Sequence, residues 1–411
     1  MSRIRLLTAT VLAASASVLC APGSGSAQPP PSGVSCPALW VLGVQGTGQS
    51  SPQASPTADT GMLGALLAPV VAAVPDLVQR IYIAYPAGFG GALGTGGGPV
   101  PYAESVAIGL AGLGAAAAEV TAACPSTALA AVGYSQGAQI VSQFARAVGA
   151  GEGPVAPERI AGVALYADPD RAPGTATFPG RPGQVSPDPA PGTAGVGVAA
   201  VQITTAPASG GGLAAGGSDY GALTGRVADI CTEGDPSCSA PDHAALLRLA
   251  AGVAAQADLR DPLTALGSLQ AVFSGVLGDA WTTVVNQDFT LGPAGVDYAP
   301  QASLAARLTA AADSSTPPPG TEEVAAASVR WAQITALVGA DPVVQLPKLA
   351  GQLSGAWGQL LADNADVGNP AVWLRYSDAI ARHTGYAAAG QLASGVAWLI
   401  ALAHDLAGSH P

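Results

Sequence analysis

A serine between two glycines is the strongest candidate for chemistry in this sequence. Residues 133–137 read Gly-Tyr-Ser-Gln-Gly and stand between an apolar run and an amphipathic segment. A strand that turns sharply into a helix needs glycines beside the turning residue, because side chains there would crowd the backbone. The turn exposes Ser135 at the carboxyl edge of a sheet, where a helix amino terminus favours developing negative charge. The pattern therefore predicts that Ser135 is the nucleophile of an acyl-transfer reaction.

A serine nucleophile also needs a histidine base and an acid that orients the base. In α/β-hydrolases the acid and the histidine follow the serine in that order. The candidate acids are Asp168, Asp229, Asp235 and Asp242, and the candidate bases are His243, His383, His404 and His410. Asp168 follows an apolar run, a location that some of these enzymes use for the acid. The residues alone leave the choice of acid and base open.

The segment around Ser135 resembles the cutinases, because residues 133–138 read GYSQGA, the form that this turn takes in that family. Cys36 and Cys124 stand where the family has cysteines before the first strand and before the nucleophile strand. Residues 231–238 read CTEGDPSC, which is similar to the family's cysteine-bracketed catalytic aspartate. The resemblance implies that Asp235 is the acid. The bridges that it implies are Cys36–Cys124 and Cys231–Cys238.

The resemblance also favours one histidine. His383 begins His-Thr-Gly-Tyr ahead of an apolar helical pattern, similar to the cutinase ending in which His-x-x-Tyr precedes the final helix. His243 is the main alternative, although the family usually has a longer loop between the second bridge and the histidine. His404 lies inside the last predicted helix and His410 is near the terminus, so both are expected to face solvent. We therefore assign the base to His383 and keep His243 as the alternative.

Two backbone or hydroxyl donors must hold the oxyanion of the reaction. In this fold they are the N–H after the nucleophile, here Gln136, and a group in the loop after an early strand. That loop reads Gln45-Gly46-Thr47, whereas cutinases carry Arg-Gly-Ser there. Thr47 keeps the hydroxyl, so Gln136 and Thr47 are the predicted oxyanion hole. Gln45 replaces the arginine.

Apolar runs that alternate with helical stretches must position these groups. The runs are residues 38–44, 79–85, 127–134 and 160–167, followed by strand-like segments at 198–204 and 226–230. The helical stretches among them begin at residue 61 and span residues 103–123 and 138–148. The alternation predicts a doubly wound, mostly parallel sheet flanked by helices, an α/β-hydrolase fold of the cutinase type.

The chain is long enough for this domain and an additional region. From about residue 244 the pattern is largely helical, with Leu266, Leu269, Phe273 and Leu277 at helical spacing. If His383 is the base, this region separates the acid from the base and is expected to form a helical cap. The predicted divisions are a signal peptide at 1–27, a catalytic domain at 35–255, a cap at 256–375, and the histidine loop with the final helix at 376–411.

Composition restricts the compartment and the partners. Arg3 and Arg5 precede an apolar run that ends at Leu19, which is typical of an export signal. Four cysteines then remain, an even number suited to an oxidising compartment. A net charge of −12 argues against nucleic acid as a partner. After the signal we expect no transmembrane segment, only transient contact with cell-envelope lipid, and a monomer.

These features predict a secreted serine esterase without metal or organic cofactor, acting through an acyl-enzyme. The expected cap favours lipid-like acyl esters or thioesters as small-molecule substrates. The alternatives are an acetylxylan-type carbohydrate esterase, a true cutinase, or a non-catalytic cell-envelope binding protein on the same fold, because a fold alone does not establish a function.

Overall fold

A five-stranded parallel sheet lies at the centre of the computed structural model, which describes residues 36–203, 205, 208–214 and 216–408. The strands are β1 (Leu39–Val44), β2 (Val78–Tyr82), β3 (Ala128–Tyr134), β4 (Ile160–Tyr166) and β5 (Val227–Ile230). They pair in the order β2-β1-β3-β4-β5, every pair parallel. The winding direction changes between β1 and β3, and open α/β sheets bind ligands in the crevice at such a point. The predicted fold class is confirmed.

Helices cover both faces of the sheet because its strands are apolar on both sides. Every residue of β1 and β4 is buried. One face is covered by α1 (Gly61–Ala73) and α12 (Gln391–Gly408), which also pack against each other. The other face is covered by α2 (Tyr102–Ala123) and α3 (Gln136–Gly149). Two apolar cores therefore hold the sheet, one on each side.

The α2 helix is long and apolar, which bears on the expectation that no transmembrane segment follows the signal. By length and composition it could cross a membrane, and it is the single such helix in the described part of the chain. These two criteria alone do not establish a membrane span, because core helices of soluble proteins meet them as well. In the fold, α2 packs against α3 and β1 as a layer helix.

A second group of elements lies between β5 and α12. It comprises α5 (Ala245–Ala255), α6 (Pro262–Gln287), β6 (Phe289–Gly292), β7 (Gly295–Tyr298), α7 (Leu304–Ala312), α8 (Thr321–Ala340), α9 (Pro342–Ala362), α10 (Pro370–Leu374) and α11 (Ala379–Thr384). Helices dominate this group, as the periodicity predicts. The β6–β7 hairpin was not predicted, because two four-residue strands joined by two residues resemble a helix linker. Two small apolar clusters of its own hold the group together.

The strand predicted at 198–204 is wrong over the residues that the structure describes. Val196–Ala199 form a short helix, α4, and residues 201–203 have no regular structure. The physical reason is distant in sequence: the carboxylate of Asp405 accepts hydrogen bonds from the N–H groups of Gly197 (2.7 Å) and Val198 (2.9 Å). A cap supplied by α12 therefore starts a helical turn that the local pattern does not show.

The remaining expectations concern the loops and the amino terminus. The Pro- and Gly-rich stretch at 172–197 is anchored, since Phe178 is buried and the N–H of Asp188 donates to the carbonyl of Gly225 at 2.9 Å. The structure contains the disulfides Cys36–Cys124 and Cys231–Cys238. The predicted signal peptide at 1–27 lies outside the described residues.

Candidate active site

Ser135 occupies a strained backbone position between β3 and α3. Its φ is 55° and its ψ is −123°, in a region that side-chain-bearing residues rarely adopt. A Cβ added to Gly133 would lie 2.4 Å from the carbonyl oxygen of Gly137, and one added to Gly137 would lie 2.0 Å from that of Val44. Both flanking glycines are therefore sterically required. The turn holds the Ser135 hydroxyl at the carboxyl edge of β3.

One histidine and one aspartate line up with this serine. Nε2 of His383 lies 2.9 Å from Oγ of Ser135. Nδ1 of His383 lies 2.9 Å and 3.0 Å from the two carboxylate oxygens of Asp235. An ionised carboxylate can only accept, so Nδ1 carries the proton and Nε2 is left to accept from the serine hydroxyl. The order of groups is that of a serine-hydrolase triad.

Asp235 is fixed by groups on three sides. It is fully buried, and its carboxylate accepts hydrogen bonds from the N–H of Ser237 at 3.0 Å and from the hydroxyl of Tyr386 at 2.9 Å. The Cys231–Cys238 disulfide closes the loop that carries Asp235. The Tyr386 hydroxyl also touches this bridge, with its oxygen 3.5 Å from Sγ of Cys238. Burial and the negative charge of Asp235 raise the pKa of Tyr386, which therefore stays protonated as a donor.

His383 is supported by the residue that precedes the serine. It lies on α11, so the chain reaches it only after helices α5 to α10 and the β6–β7 hairpin. The ring of Tyr134 stacks on the His383 imidazole, with centroids 5.3 Å apart and planes at 28°. The Tyr134 hydroxyl donates to the His383 backbone carbonyl at 2.7 Å. Tyr134 thus ties the histidine loop to the end of β3.

The loop after β1 approaches the serine closely. A Cβ added to Gly46 would lie 3.2 Å from Cβ of Ser135. The Thr47 hydroxyl lies 3.5 Å from Oε1 of Gln136, at the edge of hydrogen-bond distance. The first N–H groups of a helix have no acceptor within it, which leaves the N–H of Gln136 at the start of α3 available to an oxyanion. Thr47 and Gln136 therefore lie together beside Ser135.

Gln45 shows where this loop differs from the family pattern. Its side chain is buried, and its Oε1 accepts from the N–H of Leu63 at 3.2 Å. Its Nε2 donates to the carbonyl of Thr60. Gln45 therefore caps the start of α1 and does not contribute a polar group to the site.

The rival acids and bases lie elsewhere. Asp168 is buried at the end of β4 and accepts from the N–H of Asp170 at 3.0 Å, while Asp229 lies on β5, 3.7 Å from Nε of Arg171. Burial, together with the charges of Asp229 and Asp170, raises the pKa of Asp168 well above its ordinary value. Burial also raises the pKa of Asp229 to about 7, which the positive charge of Arg171 opposes. Neither carboxylate contacts the imidazole of His383.

The other candidates that the structure describes are on the surface. His243 is exposed, and its backbone pairs with Asp366 through N–H donation to the carboxylate at 3.0 Å. Asp242, beside it, is exposed too. His404 is exposed on α12, and His410 lies outside the described residues.

Two supporting tyrosines were not singled out from the sequence. Tyr134 lies inside the glycine-serine motif, and Tyr386 ends the His-Thr-Gly-Tyr segment. Both motifs stand out in the sequence, but the hydrogen bonds of the two hydroxyls join residues more than a hundred positions apart, which no local pattern shows. The side chain of Gln136 was missed as well: its amide donates to the carbonyl of Gly88 at 3.0 Å and ties α3 to the loop before α2.

A cavity of about 930 Å³ opens beside Ser135 and His383. The α3 helix lines it with Ser135, Gln139 and Gln143, and eight residues of helix correspond to about 12 Å. The cavity walls include Ala103, Val106, Ala107 and Leu110 of α2, and Arg248, Ala251, Gly252 and Ala255 of α5. Within each set the residues recur at helical spacing, so they lie on one face of their helix. The second group of elements therefore shares the cavity with the nucleophile.

Comparison with known proteins gives one family. Residues 35–247, just over half of the chain, match the family model described as Cutinase. A protein of Corynebacterium glutamicum described as "Carboxylesterase Culp6 homolog" is 34% identical over 120 residues, which are 29% of this chain and 37% of that relative. The matched part thus spans little more than a third of the relative's length.

Solved structures show weaker likeness. The catalytic core domain of acetyl xylan esterase from Trichoderma reesei is 23% identical, with a TM-score of 0.33, covering 58% of this chain and 99% of that one. Lysin B from Mycobacteriophage D29 is 20% identical, with a TM-score of 0.36, covering 58% and 89% respectively. At these scores the likenesses carry no weight for function.

Proposed function

This chain belongs to the cutinase family, and from that premise we propose that it hydrolyses carboxylic esters through an acyl-enzyme on Ser135. The observation that carries the proposal is the hydrogen-bonded series Ser135, His383, Asp235, with heavy-atom distances of 2.9 Å at both links. Side chains that are 148 and 248 positions apart meet in that order. If this strained and nearly buried serine had only a structural role, nothing would require His383 and Asp235 to align with it.

The first half of the reaction forms the acyl-enzyme. Ser135 Oγ attacks the ester carbonyl while His383 Nε2 takes the hydroxyl proton, and Asp235 stabilises the resulting imidazolium through its bond to Nδ1. The carbonyl oxygen becomes an oxyanion, held by the N–H of Gln136 and by Thr47. His383 then gives the proton to the leaving alcohol or thiol, and the carbonyl–oxygen or carbonyl–sulfur bond breaks.

The second half repeats these roles with water. His383 takes a proton from a water molecule, whose oxygen attacks the acyl carbonyl, and the same donors hold the second oxyanion. Collapse of this intermediate returns the proton to Ser135 Oγ and releases the carboxylic acid. No group beyond the side chains named is needed to balance the protons.

The cavity supports lipid-like acyl esters or thioesters as the substrate class. Its volume of about 930 Å³ is near the upper end of the range of about 300–1,000 Å³ that is usual for small-molecule sites. Apart from Tyr102 and Glu104 at the start of the helix, the α2 residues that line it are apolar. An acetyl group would fill a small part of this space. A long acyl chain running along α3 uses it far better.

The region at 256–375 acts in this proposal as a helical cap, since α7 and the turn after it line the cavity together with α5. Export is part of the same proposal. The amino-terminal pattern and the two disulfides support an extracellular or cell-envelope location, because disulfides persist in oxidising compartments.

The test uses a fluorophosphonate probe and p-nitrophenyl esters of increasing chain length. The parent should be labelled on Ser135 and should release p-nitrophenol. Ser135→Ala should lose labelling and at least about a thousandfold in kcat, with an almost unchanged melting temperature. Ser354→Ala, an exposed serine of α9, is the matched control and should behave like the parent. Labelling that survives Ser135→Ala would overturn the proposal.

A further inference from the structure

One arginine in the cavity has a guanidinium nitrogen without an acceptor. Arg248, on α5, donates through Nε to the carbonyl of Gly212 at 3.2 Å and through Nη1 to the carbonyl of Asp242 at 3.2 Å. Its Nη2 is buried and meets no hydrogen-bond acceptor among the described residues. Of the orphaned buried side-chain atoms in the described part, it alone belongs to a residue that lines the cavity.

No carboxylate balances the charge of this arginine at close range. Arg248 forms no ion pair within 4.0 Å among the described residues, although the chain has 27 acidic residues. Burial lowers the pKa of Arg248, and only the more distant charges of Asp242 and Tyr376 oppose this. A guanidinium does not lose its proton in proteins, so it stays charged at an unfavourable position.

The acids that line the cavity do not reach the guanidinium. Asp313 accepts hydrogen bonds from the N–H and the hydroxyl of Ser315, and Glu104 is exposed. The neighbours of Arg248 on the same helix face are small: Ala251, Gly252 and Ala255. Arg248 therefore lines the cavity that holds Ser135 beside small side chains, and its unpaired nitrogen is shielded from solvent.

We propose that Arg248 binds an anionic group, a carboxylate or a phosphate, carried by the ester substrate. Two backbone carbonyls fix the guanidinium through Nε and Nη1, and the free Nη2 supplies a charge-assisted hydrogen bond to the anion. The inference rests on the proposed function, because it assigns the anion to the molecule whose ester bond meets Ser135. It narrows the substrate class from acyl esters in general to esters with a negative charge.

Binding to the Ser135→Ala protein tests the inference without turnover. Monomethyl suberate and dimethyl suberate differ by one carboxylate, and octyl phosphate and octanol differ by one phosphate. Titration calorimetry at neutral pH should show the anionic member of at least one pair binding about tenfold tighter, or more, as expected for a hydrogen bond to a charged group. The pair with the larger difference identifies the anion.

Three second-site changes locate the effect. In the Ser135→Ala background, Arg248→Gln should abolish the preference for the anion, and Arg248→Lys should retain part of it by keeping the charge. Arg260→Gln, at an exposed arginine paired with Asp258, is the matched control and should leave the preference intact. Thermal melts of each variant establish that it is folded.

Equal binding within both pairs, or a preference that survives Arg248→Gln, would overturn the inference. Neither result depends on catalysis. If the parent chain releases no p-nitrophenol while the anion preference depends on Arg248, the proposed hydrolysis fails and the anion site stands. If the parent hydrolyses esters and the preference is absent, the proposed function stands and the anion site fails.

Discussion

Two regions differ in how closely their backbones pack. One is the sheet layer, which is the parallel sheet with α1, α2, α3 and α12, and the other is the insertion, whose long helices are α6, α8 and α9. Gly133 and Gly137 leave no room for a Cβ, since the nearest backbone oxygens would lie 2.4 Å and 2.0 Å away. An added Cβ would meet nothing within 4 Å at any glycine of α6, α8 and α9, namely Gly267, Gly275, Gly278, Gly339, Gly351, Gly355 and Gly358. Glycine is thus sterically required in the sheet layer. In α6, α8 and α9 it only increases the conformational entropy that the chain loses on folding.

Side-chain burial follows the same division. Every position of β4 is buried, whereas the 21-residue α9 helix buries only Gln345 and leaves Trp357 60% exposed. The distances among Ser135, His383 and Asp235 depend on the ends of β3 and β5, which the tightly packed layer controls, and on α11, which Tyr134 ties to the end of β3. The insertion supplies a wall of the cavity. We infer that the sheet layer determines whether the reaction occurs and that the insertion determines which molecules reach Ser135.

The largest effect should come from adding one methyl group to the sheet layer. Gly137→Ala forces a Cβ against the carbonyl of Val44, and overpacking against backbone should cost about 3 kcal/mol or more. Gly275→Ala, in the open space beside α6, should instead stabilise the protein by up to about 1 kcal/mol. Urea denaturation measures both free energies of unfolding. Equal stabilities for the two variants would remove the contrast between the regions.

A smaller effect should follow from filling the cavity from the α5 side. Ala251→Phe, on the cavity face of α5, should lower kcat/KM for a p-nitrophenyl dodecanoate by about tenfold relative to the acetate, since each methylene displaced from an apolar site costs about 0.8 kcal/mol. Ala250→Phe, on the exposed side of the same helix, is the control. If Ala251→Phe leaves the chain-length preference unchanged, α5 does not contact the acyl chain.

Much of the sheet layer is predictable because its signals are local. Short apolar runs give β1, β3 and β4 within one residue at each end, and the glycine-serine motif marks the turn at Ser135. The α4 helix is not predictable in this way, because Asp405 caps it from more than two hundred residues away. The free nitrogen of Arg248 is also invisible in the sequence, since its isolation depends on which carboxylates fold beside it.

The choice of base depends on tertiary structure in the same way. Sequence order admits both His243 and His383, and the resemblance favours His383 through a short His-Thr-Gly-Tyr segment. The contact with Ser135 exists only because the chain leaves the sheet layer after β5 and returns at α11.

The kinetics of two histidine variants test this account most directly. His383→Ala should lower kcat for a short p-nitrophenyl ester by about 10⁴-fold, as severely as Ser135→Ala, because triad members act as a unit. His243→Ala should change kcat by less than about threefold, since the His243 side chain is exposed and makes no hydrogen bond to the triad. If His243→Ala is inactive and His383→Ala turns over at the parent rate, His383 is not the base and the account is wrong.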